Sequence, residues 1–423
     1  MQIRKRVTQM KQLPFTKDQV GAWGQQTPYY VYDKAGITAC VKEIYKAFSW
    51  NRGFKEYFAV KACPNPSILR LLASLGCGAD CASVAELLLA EKSGITGQNI
   101  IFSSNETSEE EYKKAFATGS IINLDDESHI DFLEGCLGGR LPDTICCRYN
   151  PGKFGIANDI MGHLYDSKFG MTHEQLLNSY RILAGKGVKN FGLHAMLASC
   201  SLENDYYPTL ARNLFSLVLE IKEKTGVQIS FIDMSGGIGI PYTPEERAVD
   251  MMQIGSEVKR VYDEILGSRG IEVAIFTEMG RYITGPYGYL VTRVLHHKHI
   301  YKDYVGVDAT ACNLMRPAIY GAYHHITVLG KENAMPNTVV DVVGSLCENN
   351  DKFAIDRALP ETKRGDILVI HDAGAHGYSM GYNYNGKLKC AEYMLEDGKL
   401  TMIRRAETEK DYFATLDIDP AFR

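Results

Sequence analysis

Residues 57–80 read YFAVKACPNPSILRLLASLGCGAD. The apolar run 57–60 predicts a short buried strand. Asn65 before Pro66 has the form of a helix cap with proline at the first helical position. Ile68, Leu69, Leu71, Leu72 and Leu75 then recur at helical spacing, and Gly76 stands where a glycine C-terminal to a helix is expected. A second apolar run, 77–80, predicts the next strand. One strand, one crossover helix and a second strand make the repeating unit of a parallel sheet.

Working outward, the alternation continues from about residue 55 to 280. The candidate strands are 57–60, 77–80, 100–103, 121–124, 145–149, 191–196, 229–234 and 273–277. Ser83 with Glu86, and Ser108 with Glu111, have the spacing of capping boxes, so helices start just after strands end. Eight such strands predict a closed (β/α)8 barrel of the TIM type over 30–285, an α/β fold. Beyond about residue 285 the helical pattern gives way to strand-like segments at 289–294, 304–307, 325–329, 339–343 and 367–370. A Glu396-Asp397-Gly398-Lys399 hairpin signal separates 391–395 from 400–403. Residues 1–29 with 286–423 are therefore expected to form a second, β-rich domain.

Composition narrows the function. With 423 residues, 45% hydrophobic and 23% charged, the chain can bury two cores. Its formal charge of -5 has no basic stripe, which excludes nucleic acid and anionic membrane as expected partners and favours a small-molecule ligand. The basic residues Arg4, Lys5 and Arg6 are followed by Pro14 and Lys17 before any apolar run, so no secretory signal is expected, and no stretch predicts a membrane span. Eleven cysteines without paired zinc-type spacing read as free thiols of a reducing cytoplasm, with no metal site.

In a barrel of this kind the reactive groups sit at the C-terminal ends of the strands. Lys61 follows the run 57–60. A lysine beside apolar walls and other cations can have its pKa lowered enough to condense with an aldehyde, although on position alone a solvated rim lysine is the commoner case. After the seventh strand, Asp233-Met234-Ser235-Gly236-Gly237-Ile238-Gly239 offers backbone N–H groups that can cradle a phosphate, and any tight turn also wants glycine. After the eighth, Thr277-Glu278-Met279-Gly280-Arg281 sets a carboxylate beside a guanidinium, a pattern equally suited to a structural ion pair. An amine for an aldehyde, a nest for a phosphate and a carboxylate for a pyridinium together meet the needs of pyridoxal 5'-phosphate.

With these residues in view, the sequence resembles the diaminopimelate and ornithine decarboxylase family over nearly its whole length. The resemblance is carried by Tyr57-Phe58-Ala59-Val60-Lys61-Ala62-Cys63, the glycine turn, Glu278 to Arg281, Asn313-Leu314-Met315-Arg316-Pro317-Ala318-Ile319-Tyr320 and Gly344-Ser345-Leu346-Cys347-Glu348. It implies an alanine-racemase-like barrel with a C-terminal β domain and pyridoxal phosphate as cofactor. It makes Lys61 the Schiff-base lysine, puts Gly236 and Gly237 on the phosphate, and has Glu278 keep the pyridine nitrogen protonated. Arg148 falls near the phenolic oxygen, and Asp80, Ser199, Gly280 and Arg281 also belong to the cofactor site. In the diaminopimelate branch, Arg281, Arg316 and Tyr320 bind the substrate's carboxylates. Cys347, as proton donor, and Glu348 arrive from a second subunit, so the resemblance implies a homodimer with shared active sites. The implied reaction is decarboxylation of meso-diaminopimelate to L-lysine in a cytoplasmic biosynthetic enzyme.

The chain departs from the family pattern at the cofactor. The family's His-x-His-x-Gly-Ser-Gly stretch reads His194-Ala195-Met196-Leu197-Ala198-Ser199-Cys200, so Met196 takes the place of the histidine that stacks on the ring. A thioether still packs on an aromatic face, at about 0.3–1.5 kcal/mol. His376 stands where the family has a phosphate-binding tyrosine; Tyr378, Tyr382 or Tyr384 are alternatives for that task. Met279 replaces the usual proline of the eighth-strand motif. These changes keep lysine, ornithine or a related amino acid open as substrate, and a non-catalytic cofactor carrier as a different class of reading.

Overall fold

The computed structural model describes residues 11–153 and 164–417, which leaves Arg4, Lys5 and Arg6 outside the described residues. Two compact units emerge: Thr38–Ile240 with Ala248–Tyr282, and Met1–Ile37 with Pro241–Arg247 and Ile283–Arg423. The first strand, β1 (Tyr29–Asp33), belongs to the second of these, because its ladders are made there. The barrel unit consequently starts later than residue 30 and gives up 241–247.

The first unit is a closed parallel barrel of β2 (Lys55–Ala59), β3 (Gly78–Cys81), β4 (Ile100–Ser103), β5 (Ile121–Leu124), β6 (Thr144–Arg148), β7 (Asn190–His194), β8 (Ile229–Asp233) and β9 (Ala274–Thr277). Each predicted strand is present within a few residues of its expected place. Closure is the pairing of β2 with β9, Lys55 opposite Phe276 and Glu56 opposite Thr277. Inside, Tyr57, Ile101, Ile121, Cys146 and Phe231 form one apolar cluster with Phe276 against it. Gly192 gives Phe231 its place, since a Cβ there would lie 2.2 Å from the ring. The interior is thus a packed core, and chemistry is confined to the strand ends.

The helices start where the caps predict. Asn65 accepts from Ser67 N at 2.9 Å ahead of the helix Pro66–Ser74, whose Ile68, Leu69 and Leu72 are buried. Ser108 and Glu111 make the full capping box. At Ser83 only half of it forms, because the Glu86 carboxylate accepts from Ala82 N instead. All eleven cysteines are unpaired thiols, most of them buried. Among the described residues no helix is long and apolar enough to cross a membrane.

In the second unit, β10 (Gly288–His299), β11 (Asp303–Val307), β12 (Ile326–Val328), β13 (Thr338–Val343), β14 (Lys352–Leu359), β15 (Ile367–Ile370), β16 (Ala391–Glu396) and β17 (Lys399–Arg404) join β1. The sheet order is β14-β13-β11-β10-β1-β16-β17, with β15 pairing β10 and β12. β1 is central, antiparallel to β10 and parallel to β16, and Tyr29 and Val31 point into a core with Phe15, Val291, Val369 and Leu395. The β16–β17 hairpin turns at Asp397 (φ 48°) and Gly398 (φ 76°), the left-handed pair that a tight two-residue hairpin requires.

Candidate active site

The ends of the barrel strands carry an unusual density of charge. Lys61 lies in a single helical turn after β2, with its side chain half exposed and its Nζ 3.1 Å from Oδ2 of the buried Asp80 at β3. The Asp80 carboxylate, more than any other group, raises the Lys61 pKa above the ordinary lysine value against the opposing effect of burial. This corrects the expectation of a lowered lysine: apolar walls do lower an amine, but here a carboxylate at contact distance outweighs them. Asp80 itself is pushed up to about 7, by burial first and then by the charge of Glu278.

Glu278, just past β9, is buried with His194 Nε2 3.4 Å from its Oε2 and the Ser235 hydroxyl donating to the same oxygen at 2.6 Å. Burial would raise its pKa, but the His194 and Lys61 charges and the Ser235 bond hold it at about 2. Asp233, at the end of β8, is driven the other way, well above the ordinary range, by burial and then by the Glu278 charge. Two buried acids this close cannot both ionise, and Asp233 is the one that keeps its proton. His194 is lowered by burial despite Glu278. Arg148 closes the rim, 3.2 Å from Asp125 and 4.4 Å from the Phe169 ring centroid; burial pulls its pKa down, Asp125 opposes this, and a guanidinium remains a cation.

The glycines follow from close packing. A Cβ on Gly236 would lie 2.8 Å from the Glu278 carbonyl, and one on Gly237 (φ 99°) 2.7 Å from the Tyr206 ring. A Cβ on Gly280 would lie 2.7 Å from that of Ala62, so the ends of β9 and β2 meet only because Gly280 has no side chain. Met196 is half-buried with its Sδ 3.1 Å from Ser235 Oγ, which brings it to the Glu278 cluster. Ser199 lies further along the same loop, and Arg281 opens the short helix Arg281–Thr284.

In the β-rich unit, Arg316 and Tyr320 begin and end one short helix. Arg316 is buried, its guanidinium 4.5 Å from the Tyr242 ring centroid and its NH1 2.9 Å from His324 Nε2. Tyr320 is largely exposed. Cys347 and Glu348 are exposed on the loop between β13 and β14, where Cys347 N donates to Asn385 Oδ1 at 2.7 Å. His376 is half-buried with φ 54°. Of its three possible substitutes, Tyr378 is held under Arg404 and Lys389, whose charged groups lie 4.6 and 4.7 Å from its ring centroid.

Three residues at this rim carried no assignment from sequence: His194, Asp233 and Ser235. The first two close their strands, the position that drew attention to Lys61, and Ser235 follows directly in the glycine turn.

These residues fit pyridoxal phosphate. Glu278 is buried and held ionised, with its Oε1 outside the His194 and Ser235 contacts, which suits a cationic ring N–H, while the turn at Gly236 and Gly237 admits no side chain where a phosphate would be cradled. Residues 35–285 match the family model described as the pyridoxal binding domain of pyridoxal-dependent decarboxylases. The chain belongs to that family. As a pyridoxal-dependent decarboxylase it is 39% identical over 395 residues to Protein TabA of Pseudomonas amygdali pv. tabaci, covering 93% of this chain and 92% of that one. It is 35% identical over 389 residues to a diaminopimelate decarboxylase of Methanothermobacter thermautotrophicus, covering 91% and 90%. The crystal structure of diaminopimelate decarboxylase from Helicobacter pylori complexed with L-lysine superposes with a TM-score of 0.86 at 29% identity, over 94% of this chain and 98% of that one. This decarboxylase is thus an amino-acid lyase that uses pyridoxal phosphate, and the non-catalytic reading falls.

Proposed function

We propose that the substrate is meso-diaminopimelate and the product L-lysine, made in a homodimer whose sites are shared. The observation that carries this reading is Arg316, a guanidinium fixed between an aromatic face and a histidine acceptor. A cation so restrained suits a second carboxylate, which meso-diaminopimelate has and lysine and ornithine lack. Relatives named diaminopimelate decarboxylase at 31–35% identity support it.

In this reading Lys61 holds the cofactor through its amine, Gly236 and Gly237 hold the phosphate, and Glu278 keeps a proton on the ring nitrogen. Arg148, Asp80, Met196, Ser199, Gly280 and His376 complete the cofactor site. When bound, pyridoxal phosphate supplies an electron sink for the pair left behind as a carboxylate departs as carbon dioxide. Arg281, Arg316 and Tyr320 orient the substrate's carboxylates, and Cys347 of a second copy, beside its Glu348, returns a proton to the α-carbon.

Carbon dioxide release from meso-diaminopimelate, L-lysine and L-ornithine, with cofactor added, tests the substrate. Turnover of the last two alone ends the assignment. Mixing inactive Lys61→Ala and Cys347→Ala proteins tests the sharing: random exchange of subunits restores about a quarter of the wild-type activity if sites combine both chains, and none if they do not. The second reading, another amino acid as substrate, is favoured specifically by Met196 and His376, which alter the cofactor's surroundings.

A further inference from the structure

Ser235 is held in a conformation that a side chain avoids. Its φ is 54°, in the left-handed region where glycine is the usual occupant, and the next two residues are glycines. A side chain retained under such conditions invites a reason, and its contacts supply one. The Ser235 backbone is tied on three sides: its N–H donates to Asp233 Oδ1 at 2.7 Å, and its carbonyl accepts from Glu278 N at 2.8 Å and from the Tyr207 hydroxyl at 2.7 Å. The Cβ is thereby aimed, and the hydroxyl reaches Glu278 Oε2 at 2.6 Å and Met196 Sδ at 3.1 Å. It has one proton. The shorter contact to an ionised oxygen takes it, and the thioether rests against the hydroxyl oxygen.

The imidazole and the hydroxyl therefore address one oxygen of Glu278. His194 and Ser235 converge on Oε2, Oε1 lies outside both contacts, and Asp233, the acid that keeps its proton, hydrogen-bonds the same carboxylate. We propose that Ser235 is a positioning residue of the reaction, whose hydroxyl clamps Oε2 of Glu278 and so sets the orientation in which that carboxylate meets the cofactor's ring nitrogen. The groups whose charges bear on Glu278 are His194, Asp233, Lys61, Asp80, Glu56 and Arg148, and none of these is removed by changing Ser235.

This inference rests on Glu278 serving the ring nitrogen, and the experiment separates the two. Ser235→Gly deletes the hydroxyl and relieves the backbone, and Ser235→Ala deletes the hydroxyl alone. Cofactor affinity is read by fluorescence titration, and the protonation of the ring nitrogen by the 15N shift of ring-labelled pyridoxal phosphate bound to each protein. Both variants are expected to bind about tenfold more weakly and to move the ring-nitrogen signal towards the neutral form, while the melting temperature of cofactor-free Ser235→Gly is not lowered. Combined with Glu278→Gln, neither change should add to the loss caused by that substitution. A wild-type ring nitrogen that is already neutral overturns the role of Glu278. A protonated wild-type signal that Ser235→Gly and Ser235→Ala both preserve, with affinity within about twofold, overturns the role of Ser235 alone.

Discussion

The amine of Lys61 and the carboxylate of Asp80 lie 3.1 Å apart across the ends of two adjacent barrel strands, and Asp80 is the buried partner. Its second oxygen takes no hydrogen bond among the described residues. A carboxyl so placed makes stability depend on pH. Unfolded, it titrates near about 3.9; folded, at about 7. Between those values the folded protein holds the extra proton, so stability falls as pH rises through this window and the loss is complete above it. Lys61 contributes in the opposite sense but far from here. Its raised folded pKa gives stability that is present below the unfolded lysine value and lost only in strong alkali. Asp80→Asn therefore flattens the pH dependence between 5 and 8 in thermal melts of the cofactor-free protein, each kcal/mol recovered being about 2–4 °C in Tm. Parallel curves for the two proteins count against this account. The same substitution lowers the Lys61 pKa, so cofactor capture, followed by its visible absorbance, accelerates near neutral pH.

Gly344 connects the β-rich core to the exposed thiol of Cys347. A Cβ on Gly344 would lie 2.3 Å from Asp351 Oδ2, and that carboxylate holds the loop by accepting from Leu346 N at 2.8 Å and Ala311 N at 2.7 Å. Gly344→Ala pushes the carboxylate away and frees the segment that carries Cys347. The expected result is at least about a tenfold fall in kcat with cofactor affinity unchanged, since a small displacement of a reacting group is costly. Comparable turnover in stopped-flow assays of Gly344→Ala and wild type separates Cys347 from proton delivery.

Met196 offers a direct measure of what a thioether contributes at the cofactor. Met196→Ala is expected to weaken pyridoxal phosphate binding by about 0.3–1.5 kcal/mol, or about two- to thirteen-fold. Met196→His puts an imidazole where Ser235 now meets sulfur, and because Ser235 already donates to Glu278, the ring gains no donor from that hydroxyl. Fluorescence titration of the three proteins should rank Met196→Ala weakest. An alanine variant that binds as tightly as wild type removes Met196 from the cofactor site.

The barrel was legible because its signals are local. The strands are short apolar runs, several helices follow a cap such as Asn65 or Ser108, and eight repeats leave little choice of closure. β1 and β14 were missed for opposite reasons. The run Tyr29–Asp33 stands far from its partners in sequence, and a helix, Lys34–Ala47, and then the barrel follow it, so nothing nearby shows that it pairs with β10 and β16. Lys352–Leu359 mixes Lys, Asp and Arg with apolar residues and bends at its register shifts with β13, which blurs a period of two. At the site, Lys61, Glu278 and the glycines stood out by chemistry at strand ends. The direction of the Lys61 pKa did not, because it depends on Asp80, brought within reach only by the pairing of β2 with β3. Ser235 was hidden as well, since a serine among glycines reads as part of the turn until its hydroxyl is seen on Glu278.

Arg316 tests the substrate most sharply, because its surroundings define its state. His324 Nδ1 lies 2.8 Å from the His371 carbonyl and must donate to it, so its Nε2, 2.9 Å from Arg316 NH1, is the acceptor. The imidazole is therefore neutral, and it fixes the guanidinium without cancelling its charge. Lysine in this place keeps a charge but loses the planar fork and the stack on Tyr242. For meso-diaminopimelate, Arg316→Lys is expected to lower kcat/KM by about 10–100-fold, mainly through KM, as for a contact made equally in ground and transition states. The visible spectrum of the bound cofactor should not change. If L-lysine or L-ornithine were the substrate, no second carboxylate would be lost and kcat/KM would hold within about twofold. Equal kcat/KM for meso-diaminopimelate in both proteins removes Arg316 from the substrate site.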